Sequence, residues 1–333
     1  MKAKWVDIGV VLRRAFAATC VQRTFSTGVL ICALGAAVAG PSDKLRFTST
    51  TEGQYVFDTG VLRGEIHQDD KTLGLTSIVH IPSGTKLDGT YGIFSYYRVF
   101  TANNRHGHAA WEWPCVSKLL PDGAVQIFWA ADENRPIEMS ATYRLAGPST
   151  IDLETVVKAQ KYLPQFEVFL ASYLRESFPI PCVYVGENPE AGGKPGFLTA
   201  KKSLGDWQMF PRDKQVLPII CDGRWQKEPN PVQWAIMPYM AAPVGVRRSA
   251  AGDLTAILMA PPEDCFAIST PYEAEGHYSL YMSLFGRDIK AGQKAKARSR
   301  LVIAAGASNE SVLDLYKEYM KERRAGTASN TDP

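Results

Sequence analysis

Between Arg46 and Ala305, apolar and polar residues alternate with a spacing of two over most of the chain. Ile137, Met139, Ala141, Tyr143 and Leu145 alternate with Glu138, Ser140, Thr142 and Arg144. Successive side chains of a strand point to opposite faces, so this segment has one buried and one wet face. Gly147-Pro148-Ser149 turns the chain, and Ile151 and Leu153 then alternate with Asp152 and Glu154 into Thr155-Val156-Val157. These two segments read as a hairpin. Similar signals recur at Tyr55–Asp58, Gly64–His67, Leu75–Ile81, Ile93–Phe100, Ala110–Val116, Ala124–Ala130, Phe166–Leu174 and Val183–Gly186. They continue at Val232–Tyr239, Leu254–Met259, Cys265–Ser269, Tyr278–Phe285 and Ala297–Ile303. Roughly fifteen strands, separated by turn signals such as Asp88-Gly89 and Pro121-Asp122-Gly123, point to a sandwich or barrel rather than to βαβ units. The expected fold class is therefore all-β.

The exception is C-terminal. Ser308 can cap a helix, and Val312, Leu313, Leu315, Tyr316, Tyr319 and Met320 give it an apolar stripe. The expected division is a β domain over residues 40–305, a helix over 306–324 and a loose polar tail over 325–333. The segment Glu187–Trp225, rich in Gly, Pro, Lys and Asp, is the longest region without a clear period. A loop of that length in a compact domain is usually functional or disordered.

At the other end, Lys2, Lys4, Arg13, Arg14 and Arg23 precede a short apolar stretch that closes on Ala37-Val38-Ala39. A basic region, a short apolar run and a small-x-small end read as a secretory signal over residues 1–39. An uncleaved anchor is the alternative, though the run is short for a bilayer span. The segment holds five basic residues and one acid, Asp7, so the remainder has formal charge −1 where the whole chain has +3. No basic footprint for nucleic acid remains. The expectation is an exported protein with no stable membrane insertion after cleavage. The 45% apolar and 21% charged fractions exclude a disordered chain. Cys115, Cys182, Cys221 and Cys265 are widely spaced and have no zinc-ligand pattern. They can be disulfides or buried thiols. No cofactor and no metal are expected.

The densest group of chemically capable residues is Asn103-Asn104-Arg105-His106-Gly107-His108, followed by Trp111, Glu112 and Trp113. On an extended chain His106 and His108 share one face, as do Trp111 and Trp113. Histidine serves as acid or base near neutral pH, and tryptophan offers a flat plate to the apolar face of a sugar ring. The alternative is a turn with solvated histidines ahead of a core strand. Arg98, among aromatics, is either an anion or hydroxyl binder or the partner of a carboxylate. Glu167, in an apolar run, can be a general acid with a raised pKa; an ion pair on the wet face of a sheet is the plainer reading. Glu176 follows it. Glu275 and His277 can form an acid–base pair or lie in a solvated loop. Trp207, Trp225 and Trp234 sit in or beside the long irregular region and can form subsites. The sequence has no G-x-S-x-G elbow, no P-loop, no G-x-G-x-x-G before a helix and no H-E-x-x-H.

With these residues in place, the chain resembles the galactose-mutarotase-like β-supersandwich group. The likeness rests on the early strand pair (Tyr55–Ile66, Leu75–Ile81) and on Tyr91-Gly92, Arg98 and Asn104-Arg105-His106-Gly107 after it. It continues through the hairpin at Ile137–Val157 and a Gly286-Arg287-Asp288 turn before the last strand. The resemblance implies a large antiparallel β-supersandwich that binds sugars on a concave sheet face. It implies a histidine and a glutamate as acid–base partners. Arg105 and His106 or His108 match; Glu167, Glu176 and Glu275 are the candidate glutamates. The group's second histidine motif is missing near Ile151–Leu174, where Tyr162-Leu163-Pro164-Gln165 stands. That departure tells against simple mutarotation. The expected function is an exported carbohydrate-binding protein acting as lyase, glycosidase or epimerase. In that reading His106, His108, Glu167, Glu275 and His277 are catalytic candidates. Arg98, Arg105, Trp111, Trp113, Glu176 and Trp207 are substrate-binding candidates. A non-catalytic sugar-binding or structural envelope protein on the same fold is the alternative.

Overall fold

A computed structural model describes residues 45–328, apart from 70 and 274. The expected signal over 1–39 lies outside the described residues, as does the end of the expected tail. Two sheets, of twelve and nine strands, make up the domain. In the larger, Asp88–Thr101, Leu163–Leu174, Ser279–Ile289, Cys265–Pro271 and Trp207–Pro211 are successive neighbours. In the smaller, Met240–Arg248, Leu254–Met259, Lys294–Ala305, Thr150–Ala159 and Ile137–Gly147 lie side by side. The all-β sandwich and its single long helix agree with the sequence reading. The expected hairpin is present, with Met139 opposite Val157 and Tyr143 opposite Leu153.

The central strands are buried on both faces, and the alternation shows why. In Leu163–Leu174, Phe166, Val168 and Leu170 enter the core between the sheets. Phe169, Ala171 and Tyr173 point the other way, into a second cluster with Phe100, Met209, Trp225, Trp234 and Tyr281. The long segment after Glu187 covers that outer face. It carries the strands Gly196–Thr199 and Trp207–Pro211 and several short helical turns. It is thus a folded cover, and its weak periodicity reflects short elements. The helix Asn309–Ala328 packs on the outer face of the smaller sheet through Val312 and Tyr319, against Ile257, Met259 and Val302. Ser308 caps it as expected, its Oγ accepting from Ser311 N at 3.2 Å. The helix runs past the expected end at 324, into the first residues of the expected tail.

Three local expectations fail. Ala110–Val116 is not a strand: Ala110–Glu112 is a 3₁₀ turn, and the strand begins only at Val116. Val232–Tyr239 reduces to a two-residue strand at Ala235–Ile236. Gly286-Arg287-Asp288 does not end a strand but continues Ser279–Ile289 through a bulge, with Phe285 and Gly286 at positive φ. The strand Met240–Arg248 escapes the pattern because Pro243 and Gly245 interrupt it. None of the four described cysteines forms a disulfide; Cys182 and Cys265 are buried thiols.

Gly92 holds the sheet together beside Tyr91. Its φ is +71°, and a Cβ there would lie 2.3 Å from Leu73 O and 2.9 Å from Leu75 O. Gly92→Ala should therefore cost about 3 kcal/mol or more, combining left-handed strain with a backbone clash. Chemical denaturation against Gly60→Ala checks this, because a Cβ at Gly60 meets nothing within 4 Å. Equal losses in both variants would show that the close strand approach does not matter.

Asp264 sets an expected pH dependence. Burial pushes its carboxyl up to about 6, against the pull of Arg298. A folded-state pKa above the unfolded value means stability is full at low pH and falls as pH rises through about 6. Asp264→Asn should remove that fall, worth at most about 3 kcal/mol. Its unfolding midpoint should rise relative to wild type between acid and neutral pH. Parallel pH profiles would refute the assignment.

Candidate functional site

The cover segment and the outer face of the larger sheet enclose a cavity of about 490 Å³. That is within the usual range for a small-molecule site. Its floor is Phe169, Tyr173 and Tyr281, the outward residues of the central strands. Phe169 and Tyr281 stack at 4.7 Å. Ser279 Oγ donates to Tyr281 Oη at 2.7 Å, and Tyr281 Oη donates to Tyr173 Oη at 3.3 Å. Burial pushes both phenols up, Tyr281 to about 12, so both stay protonated at neutral pH.

One wall is a three-ring slab. Trp111 stacks on Tyr97 at 4.6 Å and 9° and on Tyr91 at 5.2 Å and 15°. The 3₁₀ turn, which displaced the expected strand, brings Trp111 here. The opposite wall is Trp225 and Trp234, edge to face at 5.1 Å, with Trp207 at 6.1 Å from Trp234. At the rim, His277 lies 5.4 Å from the Trp207 ring. Glu275 Oε1 is 2.5 Å from His277 Nδ1, and Glu275 Oε2 accepts from His277 N at 2.8 Å. The carboxylate thus orients the imidazole through Nδ1 and leaves Nε2 as the ring's other nitrogen.

Two guanidinium groups flank Tyr97. Arg98, 2% exposed, has its Cζ 4.7 Å from the Tyr97 ring centroid and 5.3 Å from that of Trp225. It donates to Tyr97 Oη at 3.2 Å and to Asn230 O at 2.6 Å. Arg105 donates to Pro229 O and, at 3.2 Å, to His108 O. These bonds seat the 229–232 segment at the cavity mouth. Burial alone would raise the Tyr97 phenol; Arg98, Asn230 and Arg105 more than offset that and hold it below its ordinary value. Burial and the neighbouring Arg98 bring Arg105 down to about 10.

The structure gathers His108, His277, Arg98, Arg105, Trp111 and Trp207 around this cavity, with Glu275 behind His277. The other expected site residues lie elsewhere. His106 is buried, its Nε2 3.0 Å from Thr101 Oγ1, and burial lowers its pKa. The turn at Gly107 (φ +67°) separates its ring from that of His108, which is why the two do not share a face. Trp113 packs in the core between the sheets, with Arg135 Cζ 4.7 Å from its ring centroid. Glu176 is exposed and does not line the cavity. Glu167 is 1% exposed and accepts from Arg224 Nη1 at 2.8 Å. Burial raises its pKa against the pull of Arg224. It is a buried ion-pair partner and does not line the cavity.

Tyr91, Tyr97, Tyr173, Tyr281 and Asn230, which the sequence does not mark as site residues, also line the cavity, as does Glu112 from the Asn103–Trp113 group. The aromatic run Tyr96-Tyr97 beside Arg98 was the available signal. Among the described residues, no group of three or more His, Cys, Asp or Glu side chains is placed to hold a metal ion. No helix among them is long and apolar enough to cross a membrane.

No family model and no curated protein matches the chain. Solved structures do. A galactose mutarotase-like protein from Lactobacillus casei is 11% identical, with 76% of this chain and 100% of that chain covered and a TM-score of 0.49. A galactose mutarotase related enzyme from Lactobacillus acidophilus is 8% identical, with 77% and 99% covered and a TM-score of 0.45. An alpha-N-acetylgalactosaminidase from Bifidobacterium bifidum is 13% identical, with 84% of this chain and 39% of that chain covered and a TM-score of 0.46. At these identities and TM-scores, function has to be read from the cavity itself.

Proposed function

We propose that this protein binds a saccharide in the aromatic cavity and transforms it by acid–base chemistry centred on His277 and Glu275. The carrying observation is the cavity wall: a Tyr91–Trp111–Tyr97 slab facing Trp225 and Trp234, with phenols, guanidinium groups and an imidazole at its edges. Aromatic plates fit the apolar faces of pyranose rings, and the polar groups between them fit hydroxyls. His277 Nε2 is the group suited to move a proton, since Glu275 occupies Nδ1. Export belongs to this reading, on the basic-then-apolar pattern of residues 1–39; the mass of the protein recovered from its native host tests it.

Thermal melts against neutral and acidic mono- and oligosaccharides test the binding. A ligand that binds only the folded state raises the apparent stability, so a hit also names the substrate for turnover assays. Stabilisation by a saccharide, lost in Trp234→Ala, is the expected result. A blank across the panel from a well-folded sample would overturn the saccharide reading. Binding without turnover would leave a sugar-binding protein and remove the catalytic half.

A further inference from the structure

The cavity holds more positive charge and more hydrogen-bond donors than the protein itself satisfies. Every acceptor that Arg98 and Arg105 reach is a neutral oxygen: Tyr97 Oη, Asn230 O, Pro229 O and His108 O. Arg98 Nε and Nη1, Arg105 Nε, Trp225 Nε1 and Trp234 Nε1 are buried with no hydrogen-bond partner. All five belong to residues that line the cavity, and all five are N–H donors. The carboxylate in the lining, Glu112, is exposed at the rim. Elsewhere Arg224 meets Glu167 and Asp222 and Arg300 meets Asp152, while fully buried Arg247 places its Nε, Nη1 and Nη2 on Ser279 O, Phe178 O and Thr270 Oγ1, with none of its donors orphaned.

Burying charge without a counter-charge is costly, and orphaned buried donors add to the cost. The residues on hand do not supply the missing acceptors, so a ligand is the natural source. We infer that the saccharide bound here carries an oxyanion, a carboxylate or a sulfate ester, and that this group sits between Arg98 and Arg105 while the ring lies among the aromatic side chains of the lining. Guanidinium groups suit such oxyanions because their planar N–H donors match the oxygen geometry. Burial first, and then the like charge of Arg98, lower the Arg105 pKa, and Tyr97 and Glu228 only partly oppose them. This inference rests on the saccharide reading and narrows it to acidic sugars.

The test is isothermal calorimetry with three probes: oligogalacturonate, a sulfated galactan oligosaccharide and the unsulfated galactan oligosaccharide. One acidic probe should bind at least about tenfold more tightly than the neutral one. Which acidic probe wins tells carboxylate from sulfate. Arg105→Gln should remove that preference, and Arg105→Lys should restore part of it. If Arg105→Gln does not fold, the wild-type preference alone still decides. Equal or tighter binding of the neutral probe would overturn the acidic inference while the saccharide reading stands. No binding of any probe would overturn both.

Discussion

Arg224→Met should be the most destabilising single change outside the apolar core. Arg224 is fully buried and its donors tie three segments together. Nη1 donates to Glu167 Oε2 at 2.8 Å, Nη2 to Gln165 O at 3.1 Å and to Asp222 Oδ2 at 3.0 Å. Asp222 Oδ2 also accepts from Asn103 N at 2.7 Å. Removing the cation leaves Glu167 as an uncompensated buried carboxylate, which costs about 3–5 kcal/mol. Trp225, the next residue, forms the cavity wall, so ligand binding should weaken together with stability. The double variant Arg224→Met with Glu167→Leu should recover much of the loss, because a buried pair is replaced by apolar contact with little net cost. Urea denaturation of the single and double variants measures this. A single variant within about 1 kcal/mol of wild type would show that the pair carries little of the fold.

His277→Ala should lower turnover of the saccharide identified by the melts by about 10²–10⁴-fold, the usual contribution of a positioned general acid or base. Its side chain is 50% exposed, so the melting temperature should hardly move. Glu275→Gln keeps the shape but removes the charge that orients Nδ1. It should lower turnover less than His277→Ala does. A stable His277→Ala protein with full turnover would remove the assigned role and direct attention to His108 and Tyr97, which also line the cavity.

Much of the architecture was legible in the sequence for a simple reason. Period-two alternation is a local property, and both sheets have one face turned to a common core. The hairpin Ile137–Val157 follows directly from it. The reading failed where a residue's neighbours in space override its neighbours in sequence. Ala110–Val116 alternates like a strand, yet Trp111 and Trp113 turn to different clusters, one under the cover segment and one between the sheets. Met240–Arg248 pairs on both sides despite Pro243 and Gly245.

For the site, the sequence marked Arg98, Arg105, His108, Trp111, Trp207 and His277 as chemically capable, because such residue types are conspicuous in aromatic or loop surroundings. It could not say that they converge. Nor could it separate His106 from His108, since the two differ in burial and partner and not in local pattern. By itself the sequence determined an all-β chain with a C-terminal helix, because strand and helix periods are written along the chain. Only the tertiary structure decided that Glu167 is spent on Arg224 and that Arg98 and Arg105 donate to neutral oxygens. Ion pairing and cavity shape depend on which distant strands become neighbours, and that is settled by packing across the sheet.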